Sequence, residues 1–285
     1  MRKRTGTAGQ TGGGGAAIAE DELDLHLAGE GGGDRQFVVA LARGLEILRA
    51  FTPAEPLLGN QEIAAYTGLP KPTVSRLTYT LTQLGYLTYL ERLGKYQLGA
   101  PVLSLGYHVL HGMNVRQIAR PYMQELAEYA DASVSLGSRD RLDMVYVEHC
   151  RSSAPITLHL DTGSRIPLAT TAMGRALLAG LPEEERAPLM DQIAAKEPKD
   201  WPRIRAGIEQ AVEDYRTRGF TVSLGDWQRD VHAVGVPFIP ADGSGIMAFN
   251  CGGPSYLLSP ERLVENLGPR LAALAKTISL ATGGK

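Results

Sequence analysis

Residues 59–79 read Gly-Asn-Gln-Glu-Ile-Ala-Ala-Tyr-Thr-Gly-Leu-Pro-Lys-Pro-Thr-Val-Ser-Arg-Leu-Thr-Tyr, and they predict a helix, a tight turn and a second helix. Ile63 and Ala64 lie on one apolar face, and Gly68 has the backbone freedom to end the first helix. Leu69 then fills the angle between the helices. Pro70 and Pro72 fit only before or within the first turn of the second helix, where backbone N–H groups have no intrahelical partner. Val74, Leu77 and Leu81 recur at helical spacing and give it a buried face. Lys71, Thr73, Ser75, Arg76 and Tyr79 are left to point outward. A short helix presenting hydroxyls and cations from its N-terminal end suits a DNA major groove.

The flanking sequence extends this helix-turn-helix. Residues 85–90 and 95–99 are strand-like, and Glu91-Arg92-Leu93-Gly94 between them makes a hairpin tip. A hairpin directly after the second helix is a wing, whose cations Arg92 and Lys95 can reach phosphates or the minor groove. Upstream, Val39, Leu41, Ala42, Leu45, Leu48 and Phe51 suggest the inward stripe of a first helix. Winged helices also serve as protein-docking modules, but the hydroxyls and cations clustered on one exposed face favour DNA.

Net charge hides an asymmetry. The 285 residues carry a formal −2, yet residues 35–100 hold seven cations against four acids. Residues 1–34 hold three against six, and residues 101–285 hold nineteen against twenty-one. Only the segment expected to meet DNA is net positive, and so modestly that affinity would depend on pairing several copies. Two cysteines, Cys150 and Cys251, are too few for a disulfide framework and fit a reducing cytosol. No run of 18 apolar residues could span a membrane, and Met1-Arg2-Lys3-Arg4 leads into Gly and Thr rather than a signal peptide. The expectation is a cytoplasmic protein.

Four segments follow: a Gly-rich disordered tail over 1–34, the winged helix-turn-helix over 35–99, an apolar linker helix over 100–113, and a second domain over 114–285. Arg2, Lys3 and Arg4 would be a solvated part of the tail or a basic arm on DNA. The linker, with Val102, Leu103, Leu105, Val109 and Leu110, must pack on something. In the second domain, helices are expected over 115–130, 172–179, 204–219 and 263–280, with Pro182 opening a polar one. Strands are expected over 132–137, 144–149, 156–160, 220–224, 231–238 and 245–251, making an α+β fold with a mixed or antiparallel sheet and flanking helices. Gly243-Ser244-Gly245 reads as a hairpin turn.

Chemistry is sparse. His149 and Cys150 are adjacent, hence on opposite faces of a strand and unsuited as a nucleophile–base pair. His108 and His111 stand at metal-compatible spacing, but no carboxylate or cysteine lies within a turn. No catalytic set, metal site or cofactor motif emerges. The best ligand candidate is the loop into a helix at Thr170-Thr171-Ala172-Met173-Gly174. A Thr N-cap followed by small residues leaves backbone N–H groups pointing at one spot, which the helix dipole makes attractive to a carboxylate. From the residues alone, an ordinary capped and buried helix start fits equally well.

Several segments together resemble the IclR family of bacterial transcription regulators. They are residues 40–48 (Ala-Leu-Ala-Arg-Gly-Leu-Glu-Ile-Leu), Glu62-Ile63-Ala64, residues 68–77 and residues 166–179. Arg218-Gly219-Phe220, Val234-Gly235-Val236-Pro237 and Gly253-Pro254 follow in the same order, so the resemblance covers roughly residues 36–281. It implies a ligand-responsive regulator that binds double-stranded, near-palindromic operator DNA. It also implies a homodimer paired by the linker helix, often a dimer of dimers, and a GAF-like second domain that senses a small organic acid. The effector's carboxylate would sit at the amides of Ala172 and Met173. Acid-binding members carry an Asp, a Cys and two Ser at the positions held here by Ser223, Ala233, Asn250 and Gly252. None keeps its type, so a small dicarboxylate or glyoxylate-like ligand is disfavoured, and Trp227 and His232 would shape a pocket for a larger or aromatic acid, with plain core packing or a dimer contact fitting Trp227 equally well. The alternative is a constitutive architectural or docking module with a non-functional pocket.

Overall fold

A computed structural model describes residues 36–153, 160–243 and 245–283. The expected tail with Arg2, Lys3 and Arg4 lies outside the described residues, as do Ser244 and residues 156–159 of the strand expected over 156–160. The chain divides into two compact units, with Val109 the last residue of the first and Leu110 the first of the second.

In the first unit, α1 (Val39–Arg49), α2 (Asn60–Thr67) and α3 (Lys71–Gln83) precede a hairpin of β1 (Leu87–Leu90) and β2 (Lys95–Leu98). Helix α2 begins with the Glu62 carboxylate accepting the Gly59 N–H at 2.6 Å, which satisfies one of the free amides of the helix start. It ends at Gly68, whose φ of 69° lies in the left-handed region. Pro70 and Pro72 straddle the start of α3, where no intrahelical N–H is lost. Ile47, Leu58, Ile63, Leu69, Val74 and Leu87 form the core. Leu58 exchanges two backbone hydrogen bonds with Tyr96, tying the α1–α2 loop to the hairpin.

The stripe expected on α1 is corrected. Gly44 and Ile47 are its buried residues, continued by Phe51, while Leu41 and Leu45 are 63% and 50% exposed. Arg43, Glu46 and Arg49 share one side of this helix, but the apolar arc opposite is broad, so periodicity could not choose which part of it faces inward. The core took the Gly44, Ile47 and Phe51 side of that arc. Helix α4 (Ala100–Gly112) follows and buries none of its residues.

The second unit is built on a six-stranded sheet of order β5-β4-β3-β8-β7-β6, antiparallel throughout. Its strands are β3 (Ser133–Asp140), β4 (Asp143–Arg151), β5 (Arg165–Pro167), β6 (Thr221–Leu224), β7 (Val231–Phe238) and β8 (Met247–Pro254). One face carries Val134, Leu136, Val234, Val236, Phe249 and Cys251 and packs on α5 (Asn114–Ala130) and the C-terminal helix. That helix is α9 (Pro260–Arg262), a π-helical turn at Leu263–Leu267, and α10 (Gly268–Ala281). On the other face Tyr146 and Ala248 meet α6 (Ala172–Gly180), α7 (Glu183–Lys196) and α8 (Trp201–Arg218). Alternation along each strand assigns residues to the two cores.

Helix α6 lies unusually close to the sheet. A Cβ on Gly235 would overlap the Ala172 carbonyl oxygen, and one on Gly137 would overlap the Met173 sulfur. The two glycines let the N-terminus of α6 descend between β7 and β3. That approach positions the ligand site.

Candidate nucleic-acid interface and ligand pocket

On α3, Val74 and Thr78 are fully buried, which turns Lys71, Ser75, Arg76 and Tyr79 outward, with Thr73 half-buried. Helix α3 is fixed to α2 through one side chain. The Asn60 amide donates to Ser75 Oγ at 3.3 Å, and its oxygen accepts from Thr78 Oγ1 at 3.2 Å. The exposed face is therefore held rigidly, as a recognition surface requires. In the wing, Arg92 is exposed at the tip. Lys95 is not equally free: its ammonium meets Glu62 at 2.7 Å and reaches the Leu57 carbonyl. Its first task is to hold β2 against the start of α2. The Glu62 carboxyl lies below its ordinary range because it accepts the Gly59 amide and, next, bonds Lys95.

In the second unit a cavity of ≈ 30 Å³ lies beneath the start of α6. Six expected ligand residues line it: Thr171, Ala172, Ser223, Ala233, Asn250 and Gly252. Two do not. Thr170 turns aside, and its carbonyl accepts from Ser223 Oγ at 3.2 Å. The Met173 side chain is wholly buried in the core, its sulfur against Gly137. Thr171 caps α6 by accepting the Gly174 N–H at 3.1 Å and donates to the Pro167 carbonyl at 2.7 Å. The amides of the helix's first turn, Ala172 and Met173, remain the donors that intrahelical bonding leaves over. Trp227 lines the cavity as expected; His232 does not, its Nδ1 lying 2.8 Å from the Leu258 carbonyl oxygen.

The loop bearing Trp227 is clamped from below. Arg175 is 4% exposed, donates to the Ala169 carbonyl, and pairs with Asp226 at 2.7 Å. Gly207 makes room for its guanidinium, since a Cβ there would stand 2.8 Å from the central carbon.

Sequence reasoning missed the far wall: Ser133, Tyr146, His149, Leu160, Ile166 and Val231. Tyr146 and His149 stack at 5.6 Å with planes 16° apart, although residues three apart on a regular strand face opposite ways. A β-bulge reconciles them. Leu136 pairs with Glu148 and Gly137 with Tyr146, leaving Val147 as the extra residue and reversing the parity beyond it. Ser135 Oγ lies 2.8 Å from His149 Nδ1. Burial pushes the pKa of the Tyr146 hydroxyl up to about 12, against the smaller lowering effect of Ser135 and Asn250 beside it. Burial, then the Arg151 charge, moves His149 below its ordinary value, so its ring is neutral near pH 7. Among the lining residues there is no Lys or Arg.

His149 and Cys150 do face opposite ways, one to the cavity and one to the core. Both cysteines are buried, and burial raises their thiols to about 11 for Cys150 and about 12 for Cys251, which makes them poor nucleophiles. Among the described residues no group of three or more His, Cys, Asp or Glu side chains is placed to hold a metal, and no helix is long and apolar enough to cross a membrane.

Comparison with known proteins agrees with this geometry. Residues 40–91 match the IclR helix-turn-helix domain, and residues 107–280 match the bacterial transcriptional regulator IclR C-terminal family. The HTH-type transcriptional regulator TsaQ1/TsaQ2 of Comamonas testosteroni is 38% identical over 243 residues, covering 85% of this chain and 87% of that protein. An IclR family transcriptional regulator from Brucella abortus is 49% identical, with a TM-score of 0.85 over 91% of this chain and 98% of its own. A transcriptional regulator from Rhodococcus sp. RHA1 is 28% identical, with a TM-score of 0.64 over 87% of this chain and 99% of that one.

Proposed function

The chain belongs to the IclR family of bacterial transcription regulators, and from that premise we propose how it reads DNA and senses its ligand. It is a ligand-responsive DNA-binding regulator of that family and not an enzyme. Lys71, Thr73, Ser75, Arg76 and Tyr79 enter the major groove, and Arg92 contacts backbone beside it. Lys95 joins only as far as Glu62 shares it. The molecule acts as a homodimer, or a pair of dimers, on a near-palindromic operator, because two-fold symmetry places two α3 helices on matching half-sites. The apolar residues that α1 and α4 leave exposed, Leu41 and Leu45 on the first and Leu103 and Val109 on the second, suit such an interface.

The effector is a small organic acid held in the GAF-like second domain. One observation carries this reading: Ala172, whose amide intrahelical bonding leaves over at the start of α6, lines a cavity whose other lining residues include polar side chains but no Lys or Arg. A carboxylate there would be held by backbone amides and the helix dipole. Trp227 and Ile166 suit an aromatic body. At ≈ 30 Å³ the cavity holds about two water-sized groups, so an acid of that size enters only as the Trp227 loop gives way. Binding then favours a different arrangement of the second unit, by as much as its affinity for the two differs. The small cavity equally suits the second reading, a constitutive DNA-binding module whose pocket stays closed.

Fluorescence anisotropy on DNA from upstream of the protein's own gene, against scrambled DNA and across a salt series, tests the reading. A preference of about a thousandfold for one fragment establishes the operator. Release from it by members of a carboxylate panel establishes the sensor, whereas specific binding that no acid alters leaves the constitutive module. Equal, salt-sensitive binding to all fragments would refute the operator assignment.

A further inference from the structure

Adjacent residues of the loop between β6 and β7 take different places. Trp227 lines the cavity, while Asp226 pairs with Arg175 of α6 at 2.7 Å. Gln228, Arg229 and Asp230, which follow, are exposed. At the neck of the loop the Gly225 N–H donates to the Val231 carbonyl at 3.0 Å, with Gly225 at a φ of 79°. At its exit the Asp230 carbonyl accepts the Ser255 N–H at 2.8 Å. The entry half of the loop is held to the domain by the Asp226 carboxylate and the half-buried Trp227 ring.

The hold on Asp226 comes mainly from Arg175. Ser223 Oγ stands 3.4 Å from the Asp226 carboxylate and 3.2 Å from the Thr170 carbonyl oxygen, and a hydroxyl has one proton to give. The shorter contact takes it, which leaves the guanidinium as the principal partner. The pair is also asymmetric: the Arg175 side chain is 5% exposed and that of Asp226 is 35% exposed. Arg175 cannot follow the loop outward, because its Nε donates to the Ala169 carbonyl at 3.1 Å and Gly207 packs against its guanidinium. Parting the two sends Asp226 to water and takes Trp227 with it. A buried cation stays behind without its counter-charge, and that cost opposes opening.

The closed cavity, at ≈ 30 Å³, admits no organic acid until this wall moves. We propose that Arg175 and Asp226 are positioning residues that act through Trp227. Their ion pair is the latch that keeps this wall of the cavity shut, and a ligand binds by competing with it. The inference rests on the effector site proposed above and adds what controls entry to it. The measured affinity of a ligand is then lowered by the small fraction of molecules in which the latch is open.

Collisional quenching of Trp227 by acrylamide tests the latch in the full-length Trp201→Phe protein, where Trp227 is the remaining tryptophan. Well below the melting transition global unfolding adds nothing to the quenching, so the signal reports local opening. Asp226→Asn should raise the quenching constant about threefold or more, and Asp226→Glu, which keeps the charge, should return it part of the way. Should Asp226→Asn fail to fold around its stranded cation, Arg175→Met combined with Asp226→Asn removes both charges and should show the same rise. Isothermal titration with a panel of aliphatic and aromatic carboxylates, benzoate included, connects the loop to the cavity. An acid that binds the parent protein should bind Asp226→Asn about threefold or more tighter. Unchanged quenching in both the single and the double variant overturns the latch. Raised quenching with equal acid affinity overturns its control of the cavity. Raised quenching with no acid bound by either protein supports the latch and overturns the acid site.

Discussion

Gly174→Ala separates what helix propensity expects from what the packing allows. Gly174 lies in the first turn of α6, and alanine is favoured over glycine in a helix interior by about 1 kcal/mol. Local propensity alone therefore expects a more stable protein. The fold says the opposite. An added Cβ would overlap the Leu168 carbonyl oxygen and stand 2.5 Å from its carbon and 2.6 Å from its Cα. Ordinary contact begins at 3.4 Å, so the Leu168 backbone would have to retreat by more than 1 Å, its carbonyl oxygen standing closer still than its carbon. It is backbone, not the end of a flexible side chain, and Leu168 is itself fully buried. Overpacking costs about 1–3 kcal/mol, and the absence of a yielding group puts this site at the upper end. The net loss is about 2 kcal/mol, or a fall of about 4–8 °C in Tm for a unit of this size. The displaced segment also carries Thr171, which caps the helix and lines the cavity. Organic acids should bind more weakly to the folded variant, while α3 and its DNA contacts are unaffected. Calorimetry with and without acid measures the first two effects, and operator anisotropy the third. An unchanged or higher Tm for Gly174→Ala would refute the close approach of α6 to the 168–174 loop.

Arg76→Ala should weaken operator binding by about 1–3 kcal/mol with the fold intact, read by anisotropy; unchanged affinity removes Arg76 from the interface. Glu62 has a folded pKa below its ordinary value, so its stabilising effect is present above the ordinary carboxylate range and lost as pH falls through the lowered value. Glu62→Gln should flatten the acid-side loss of stability in the first unit and loosen the wing; an identical pH profile would show that the Gly59 and Lys95 bonds contribute nothing. His149 also titrates below its ordinary value of 6.5, so the unfolded chain takes up that proton first. Stability of the second unit should be full above pH 6.5 and decline as pH falls below it, with a shallower decline in His149→Gln; equal slopes would place His149 in water rather than in the pocket.

The sequence by itself determined the helix-turn-helix, because its signals are local. Gly68 stops one helix, Pro70 and Pro72 start the next, and the spacing of Val74, Leu77 and Leu81 turns the polar face outward. The N-cap at Thr171 was legible for the same reason. Of the six expected residues that line the pocket, Thr171 and Ala172 were legible from that cap, whereas Ser223, Ala233, Asn250 and Gly252 came only from the family resemblance, anchored on Pro237 and Gly253-Pro254. Where the local signal was degenerate, the sequence chose wrongly. On α1, a broad apolar arc lies opposite Arg43, Glu46 and Arg49, and only packing selected Gly44 and Ile47 over Leu41 and Leu45 within it. The tertiary structure alone decided the far wall of the pocket. A single extra residue at Val147 reverses strand parity, and no composition or period announces it, since a bulge is defined by the partner strand it is paired with. That pairing brings Tyr146 and His149 onto one face, against Ser135 and Asn250 of neighbouring strands. Lys95 likewise looked like a free wing cation in the sequence, and the ion pair that occupies it comes from Glu62, 33 residues earlier. Contacts between residues far apart in sequence are set by the packing of whole elements, and the polar chemistry of this protein depends on them.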